Sequence, residues 1–99
     1  MDNIEQYVDN LIANNKIVVF SKSYCPYCKS TKELFKQLGE DIVVIELDQI
    51  KQGADIQDYL LKKTGQRTVP NVFVRQQHIG GNSEVQAANN NGSLKKLLA

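Results

Sequence analysis

The stretch Ile17-Val18-Val19-Phe20-Ser21-Lys22-Ser23-Tyr24-Cys25-Pro26-Tyr27-Cys28 decides how this chain folds. Its first four residues form a continuous apolar run rich in β-branched side chains, the pattern of a strand buried on both faces. Helical spacing then takes over. Cys28, Thr31, Leu34, Phe35 and Leu38 share one face, and Gly39 provides the stop. Pro26 suits the first turn of that helix, where its missing N–H costs nothing. Cys25 therefore falls at a helix N-terminus, beside unpaired N–H groups and the positive end of the helix dipole.

Working outward, the same alternation continues. Ile4, Val8, Leu11 and Ile12 mark a helix face ending near Asn14-Asn15, and residues 42–47 form a second apolar strand. Ile56, Tyr59, Leu60 and Lys63 mark a helix closed by Gly65, with Tyr59 in the core. Val72-Phe73-Val74 predicts a third strand, turning at Arg75-Gln76-Gln77 into a short fourth, His78-Ile79. Ser83 with Gln86 reads as a capping box for a further helix, and Ser93 as the cap of a last one carrying Leu94, Leu97 and Leu98. The order is α-β-α-β-α-β-β-α-α. The first two strands should be parallel and the last two an antiparallel hairpin. This is an α/β fold: one mixed four-stranded sheet flanked by helices on both faces, in a single domain over residues 1–99.

The composition narrows the function. With 12 Lys+Arg against 11 Asp+Glu, the net charge of +1 gives no electrostatic case for nucleic acid or an anionic membrane. No stretch approaches the roughly 18 apolar residues of a membrane span. The start, Met1-Asp2-Asn3-Ile4-Glu5, lacks a basic region followed by an apolar one, so no signal peptide is expected. A cytoplasmic monomer is the expectation. Two cysteines are too few for a disulfide scaffold, and too few to complete a tetrahedral metal site unaided. Lys29, Lys32 and Lys36 read as a solvated helix face, and His78 as a surface strand residue rather than a base.

The two cysteines should be unequal. The helix end and Lys22 favour an exposed thiolate at Cys25, the reacting species in thiol chemistry. Cys28 lies one turn deeper, on the apolar face, where its thiol should be harder to ionise. The i, i+3 spacing lets its sulfur reach Cys25. Cys25 would attack first and Cys28 would resolve the mixed disulfide. Other readings remain open: a static disulfide, a zinc site borrowing His78, or an iron–sulfur cluster shared between two chains. The strand-turn-helix setting of Cys25 and Cys28 favours redox chemistry over all three.

With Lys22-Ser23-Tyr24-Cys25-Pro26-Tyr27-Cys28 in hand, the chain resembles the dithiol glutaredoxins. Thr68-Val69-Pro70, Gly80-Gly81, Thr64-Gly65, Arg67 and Ile56-Gln57-Asp58-Tyr59-Leu60 extend the resemblance over essentially the whole chain. It implies a thioredoxin-like fold and a glutathione-dependent thiol–disulfide oxidoreductase. Its substrates would be glutathionylated or disulfide-containing proteins, with glutathione as cosubstrate and no tightly bound cofactor or metal. Cys25 would be the nucleophile and Cys28 the resolving thiol. Lys22, with Gln57 and Arg67, would meet the glycine carboxylate of glutathione, and Tyr27 would pack beside its backbone. Val69, before a cis Pro70, would pair its backbone with the tripeptide, with Thr68 flanking. Gly81, Asn82 and Ser83 would hold the γ-glutamyl group. The chain departs from the family at Asn82-Ser83-Glu84, where acidic residues often follow the Gly-Gly pair, so a weaker contact to the γ-glutamyl ammonium is expected there. A thioredoxin is the nearest alternative enzyme, but it usually carries Trp before its cysteines, and this chain has none.

Overall fold

The computed structural model describes residues 3–99, so Met1 and Asp2, the start of the segment read for a leader, lie outside it. Ten elements follow the sequence: α1 (Ile4–Asn14), β1 (Ile17–Ser21), α2 (Pro26–Gln37), β2 (Val43–Glu46), a 3₁₀ turn (Leu47–Gln49), α3 (Gly53–Thr64), β3 (Asn71–Val74), β4 (Gln77–Gly80), α4 (Asn82–Asn90) and α5 (Ser93–Leu98). The sheet order is β2-β1-β3-β4. β1 runs parallel to β2 and antiparallel to β3, and β3 and β4 form the antiparallel hairpin.

Strand alternation sorts the core into two layers. Ile17 and Val19 of β1 and Val72 and Val74 of β3 point to one face, where they meet Leu34 and Phe35 of α2, Val85 of α4 and Leu94 and Leu98 of α5. Val18, Phe20 and Phe73 point to the other, against Val8 and Ile12 of α1 and Ile56 and Leu60 of α3. Both faces of β1 and β3 are covered, which is why those strands read as unbroken apolar runs. The thioredoxin-like arrangement expected from the sequence is present.

The observed caps differ from the expected ones. Gly81, not Ser83, caps α4, and Glu84 at its third position accepts the Gly81 N–H at 2.8 Å. Glycine has no side chain to return the bond, so half of a capping box is present, two residues earlier than Ser83-Gln86 would place it. Likewise Gly92 with a left-handed φ of 85° precedes α5, leaving Ser93 inside the helix. The 3₁₀ turn was not foreseen. Three residues are too few to show a period. Lys32 is not fully solvated either, since it pairs with Glu46 at 2.8 Å. Tyr59 is only partly buried and its hydroxyl donates to Asp9 of α1 at 2.8 Å.

Candidate active site

The β1–α2 loop emerges where the sheet ends, and one acidic side chain from the 3₁₀ turn fastens it. Asp48 accepts the Ser23 backbone N–H at 2.9 Å and the Ser23 hydroxyl as well. These bonds, the hydroxyl's first, hold its carboxyl below the usual carboxylate range, with Lys22 a minor contributor. The loop thus delivers Cys25 to the N-cap of α2. The Cys25 Sγ accepts the Cys28 N–H at 3.3 Å, one of the helix-end donors that no backbone carbonyl can satisfy. On its other side the sulfur lies 3.9 Å from the Val69 carbonyl.

Cys28 is fully buried while Cys25 is partly exposed. Burial pushes the Cys28 thiol up, opposed by contacts with the Lys22 backbone and Ser21, and reinforced by the Cys25 sulfur. The two cysteines are free and within hydrogen-bonding reach of one another. One thiol is accessible and held by a helix N-terminus, and its neighbour is protected and kept protonated. That division suits stepwise thiol–disulfide exchange.

Beside Cys25 opens a cleft of about 630 Å³, lined by Tyr27, Gln66, Thr68, Val69, Pro70, Gly81, Asn82, Ser83 and Glu84. Its size falls within the range of small-ligand pockets, about 300–1,000 Å³. Three segments far apart in sequence converge on it. The Val69–Pro70 peptide is cis, as the resemblance implied. The Val69 side chain packs onto the α1/α3 core layer, which leaves its backbone at the cleft. Tyr27 is 67% exposed and stands as one wall. At the far end, Asn82 is held from beneath by the buried Thr31 of α2, whose hydroxyl donates to the Asn82 Oδ1 at 2.8 Å.

Seven of the ten expected glutathione-binding residues line this cleft: Tyr27, Thr68, Val69, Pro70, Gly81, Asn82 and Ser83. Lys22, Gln57 and Arg67 are not in its lining. Gln57 is buried and donates to the Arg67 carbonyl at 2.9 Å, while the Arg67 side chain meets Asp58 at 3.2 Å. His78 pairs with Asn71 at 2.8 Å rather than with either cysteine. Two lining residues went unforeseen. Gln66 donates through its amide to the carbonyls of Thr68 and Pro70, and Glu84 sits over the Gly80-Gly81 turn. The tripeptide TVP and the Gly-Gly pair signalled the neighbourhood, but nothing in the spacing says where a loop side chain will turn.

Comparison with known proteins agrees with this geometry. The glutaredoxin family model matches residues 17–79. Glutaredoxin-1 of Rhizophagus irregularis is 48% identical over 99 residues, spanning 100% of this chain and 98% of its own. A glutaredoxin of Ricinus communis is 51% identical over 88 residues, 89% of this chain and 86% of its own. Among solved structures, a buckwheat glutaredoxin–glutathione complex superposes with a TM-score of 0.94 at 48% identity, covering 96% of this chain and 86% of that one.

Proposed function

This chain belongs to the glutaredoxin family and is a glutathione-dependent thiol–disulfide oxidoreductase, and from that premise we propose how its own residues divide the work. The observation that carries the proposal is the Cys25 sulfur, receiving the Cys28 N–H at the start of α2 beside the cleft.

The Cys25 thiolate attacks the glutathione sulfur of a protein–glutathione mixed disulfide. The S–S bond breaks, the protein sulfur leaves as a thiolate and takes a proton from water, and Cys25 now carries glutathione. A second glutathione, as its thiolate, attacks that glutathione sulfur. This releases glutathione disulfide and restores the Cys25 thiolate. The helix N-terminus stabilises negative charge on Cys25 both as nucleophile and as leaving group. On a protein disulfide, Cys25 forms a mixed disulfide with the substrate. Cys28 gives up its proton and displaces the substrate, leaving a Cys25–Cys28 bridge that two glutathiones reduce. Potentials near −200 to −230 mV, usual for glutaredoxins, suit reduction by the glutathione pool.

The backbone of Val69 and the α4 N-terminus at Gly81-Asn82-Ser83 hold the tripeptide, as the cleft lining supports. Lys22 serves the glycine carboxylate from outside the cleft. The chain acts as a monomer in the cytoplasm, where the glutathione pool is reduced, and keeps no resident cofactor.

Two serine variants test the roles. Cys28→Ser keeps reduction of a glutathionylated peptide within about threefold of wild type and loses most reduction of a protein disulfide, while Cys25→Ser abolishes both. Glutathione consumption coupled to glutathione reductase reads the two rates. Deglutathionylation that survives in Cys25→Ser overturns the assignment.

A further inference from the structure

Gln66 follows the left-handed Gly65 that ends α3, and it is neither a cysteine neighbour nor a charged group. Its backbone is fixed on both sides. The Thr64 hydroxyl accepts its N–H at 3.1 Å, and its carbonyl accepts the amide of the buried Asn71 at 3.3 Å. With the main chain held, the side chain reaches into the cleft wall. Its single Nε2 donates to the Thr68 carbonyl at 3.1 Å and to the Pro70 carbonyl at 3.0 Å. A primary amide carries two N–H donors, so the strap uses both.

These two carbonyls flank Val69. Tying residues 68 and 70 to one amide leaves the Val69 N–H and C=O out of the strap. The Val69 carbonyl stands 3.9 Å from the Cys25 sulfur. The same amide lies under the far end of the cleft, where a side chain at Gly81 would meet the Pro70 carbonyl at 3.5 Å and Gln66 Nε2 at 3.8 Å. Gln66 therefore braces its own segment of the cleft wall and lies close to Gly81 of the next.

We propose that Gln66 is a positioning residue for tripeptide recognition: by strapping the carbonyls of Thr68 and Pro70, it presents the Val69 backbone edge to glutathione in a fixed orientation. The inference rests on the glutathione reading of the cleft. Edge pairing by backbone needs both partner groups aimed within hydrogen-bonding tolerance, and a loop without the strap would lose that pre-organisation on binding. The chemistry at Cys25 does not pass through Gln66, so the defect belongs in recognition.

The test is Gln66→Met, which keeps the side chain's length and removes both donors. With a glutathionylated peptide as substrate, KM rises about tenfold while kcat stays within about twofold. The rate of Cys25 alkylation by iodoacetamide, which needs no tripeptide, remains that of wild type. An unmoved KM overturns the proposal, as does a KM that moves only together with the alkylation rate and Tm. Wild type needs no variant. Its Gln66 amide protons should exchange more slowly than a solvent-exposed amide and slow further with reduced glutathione, and exchange at the exposed rate refutes the strap. A wild-type protein inactive on the glutathionylated peptide overturns the reading of the cleft instead, while active wild type with normal Gln66→Met kinetics overturns this inference alone.

Discussion

At position 83 the serine hydroxyl donates to Glu84 at 3.1 Å, and Glu84 in turn accepts the Gly81 N–H. The Gly81 bond, followed by that of Ser83, holds the Glu84 carboxyl below its ordinary range, so it stays ionised at neutral pH. The negative charge missing at positions 82 and 83 therefore stands one residue on, inside the cleft wall. Replacing Ser83 by Asp would set a second carboxylate beside Glu84 and remove its donor. Ser83→Asp is expected to leave glutathione binding unchanged or weaker, and Glu84→Gln to weaken it by about fivefold or less, the range of an exposed charge contact. The pH dependence has a definite sign. A depressed carboxyl contributes above its unfolded value, 4.5, and that contribution is lost as pH falls through the lower folded value. Urea unfolding of wild type should lose stability as pH falls below about 4.5, and Glu84→Gln should lose less over the same range. Tighter binding by Ser83→Asp would contradict this account of Glu84.

Among the elements, the β3–β4 hairpin carries the clearest local conflict. Its two turn residues, Arg75 and Gln76, have φ of 47° and 70°, the left-handed values a two-residue hairpin turn demands. Arg75 is compensated, since its guanidinium donates to the carbonyls of Leu97, Leu98 and Ala99 and ties down the end of α5. Gln76 is exposed at the tip. A left-handed non-glycine costs about 1–2 kcal/mol, and glycine's extra unfolded-state freedom returns about 0.5–1 of that. Gln76→Gly should stabilise the protein by roughly 0.5–1 kcal/mol in urea unfolding, and a loss of stability would show the turn is unstrained. The hairpin also illustrates what a sequence displays. Arg75-Gln76-Gln77 reads as a turn because it follows an apolar run, although Gln77 belongs to β4, and β1 and α2 read clearly because burial imposes a period on every residue they contain. The grip of Asp48 on Ser23 and of Gln66 on two carbonyls left no such trace. Each is a single loop side chain whose partner is set by where distant segments come to lie. Gln57, named on the family resemblance alone, shows the same dependence: its amide donates to the Arg67 carbonyl, a partner no spacing reveals.

For the whole molecule, the cleft is a junction. It is lined by Tyr27 from α2, Gln66 and residues 68–70 from the α3–β3 connection, and residues 81–84 from the start of α4, so it is complete only in the folded state. A ligand that binds there and not to the unfolded chain must stabilise the fold by RT ln(1 + [L]/Kd), about 1.4 kcal/mol at ten times Kd. For a domain of this size that is a rise of roughly 6–11 °C in Tm. The Cys25→Ser protein is the material of choice, because reduced glutathione then binds without exchange chemistry. The α-glutamyl isomer of the tripeptide carries the same atoms and charges but places its amine and carboxylate differently against Gly81–Glu84. It should raise Tm by clearly less at equal concentration, because the α4 wall is held in place, with Asn82 fixed by the buried Thr31, and cannot follow the displaced groups. Equal shifts for the two isomers would mean that the α4 end of the cleft does not read the γ-glutamyl group, and that recognition rests on the Val69 edge alone.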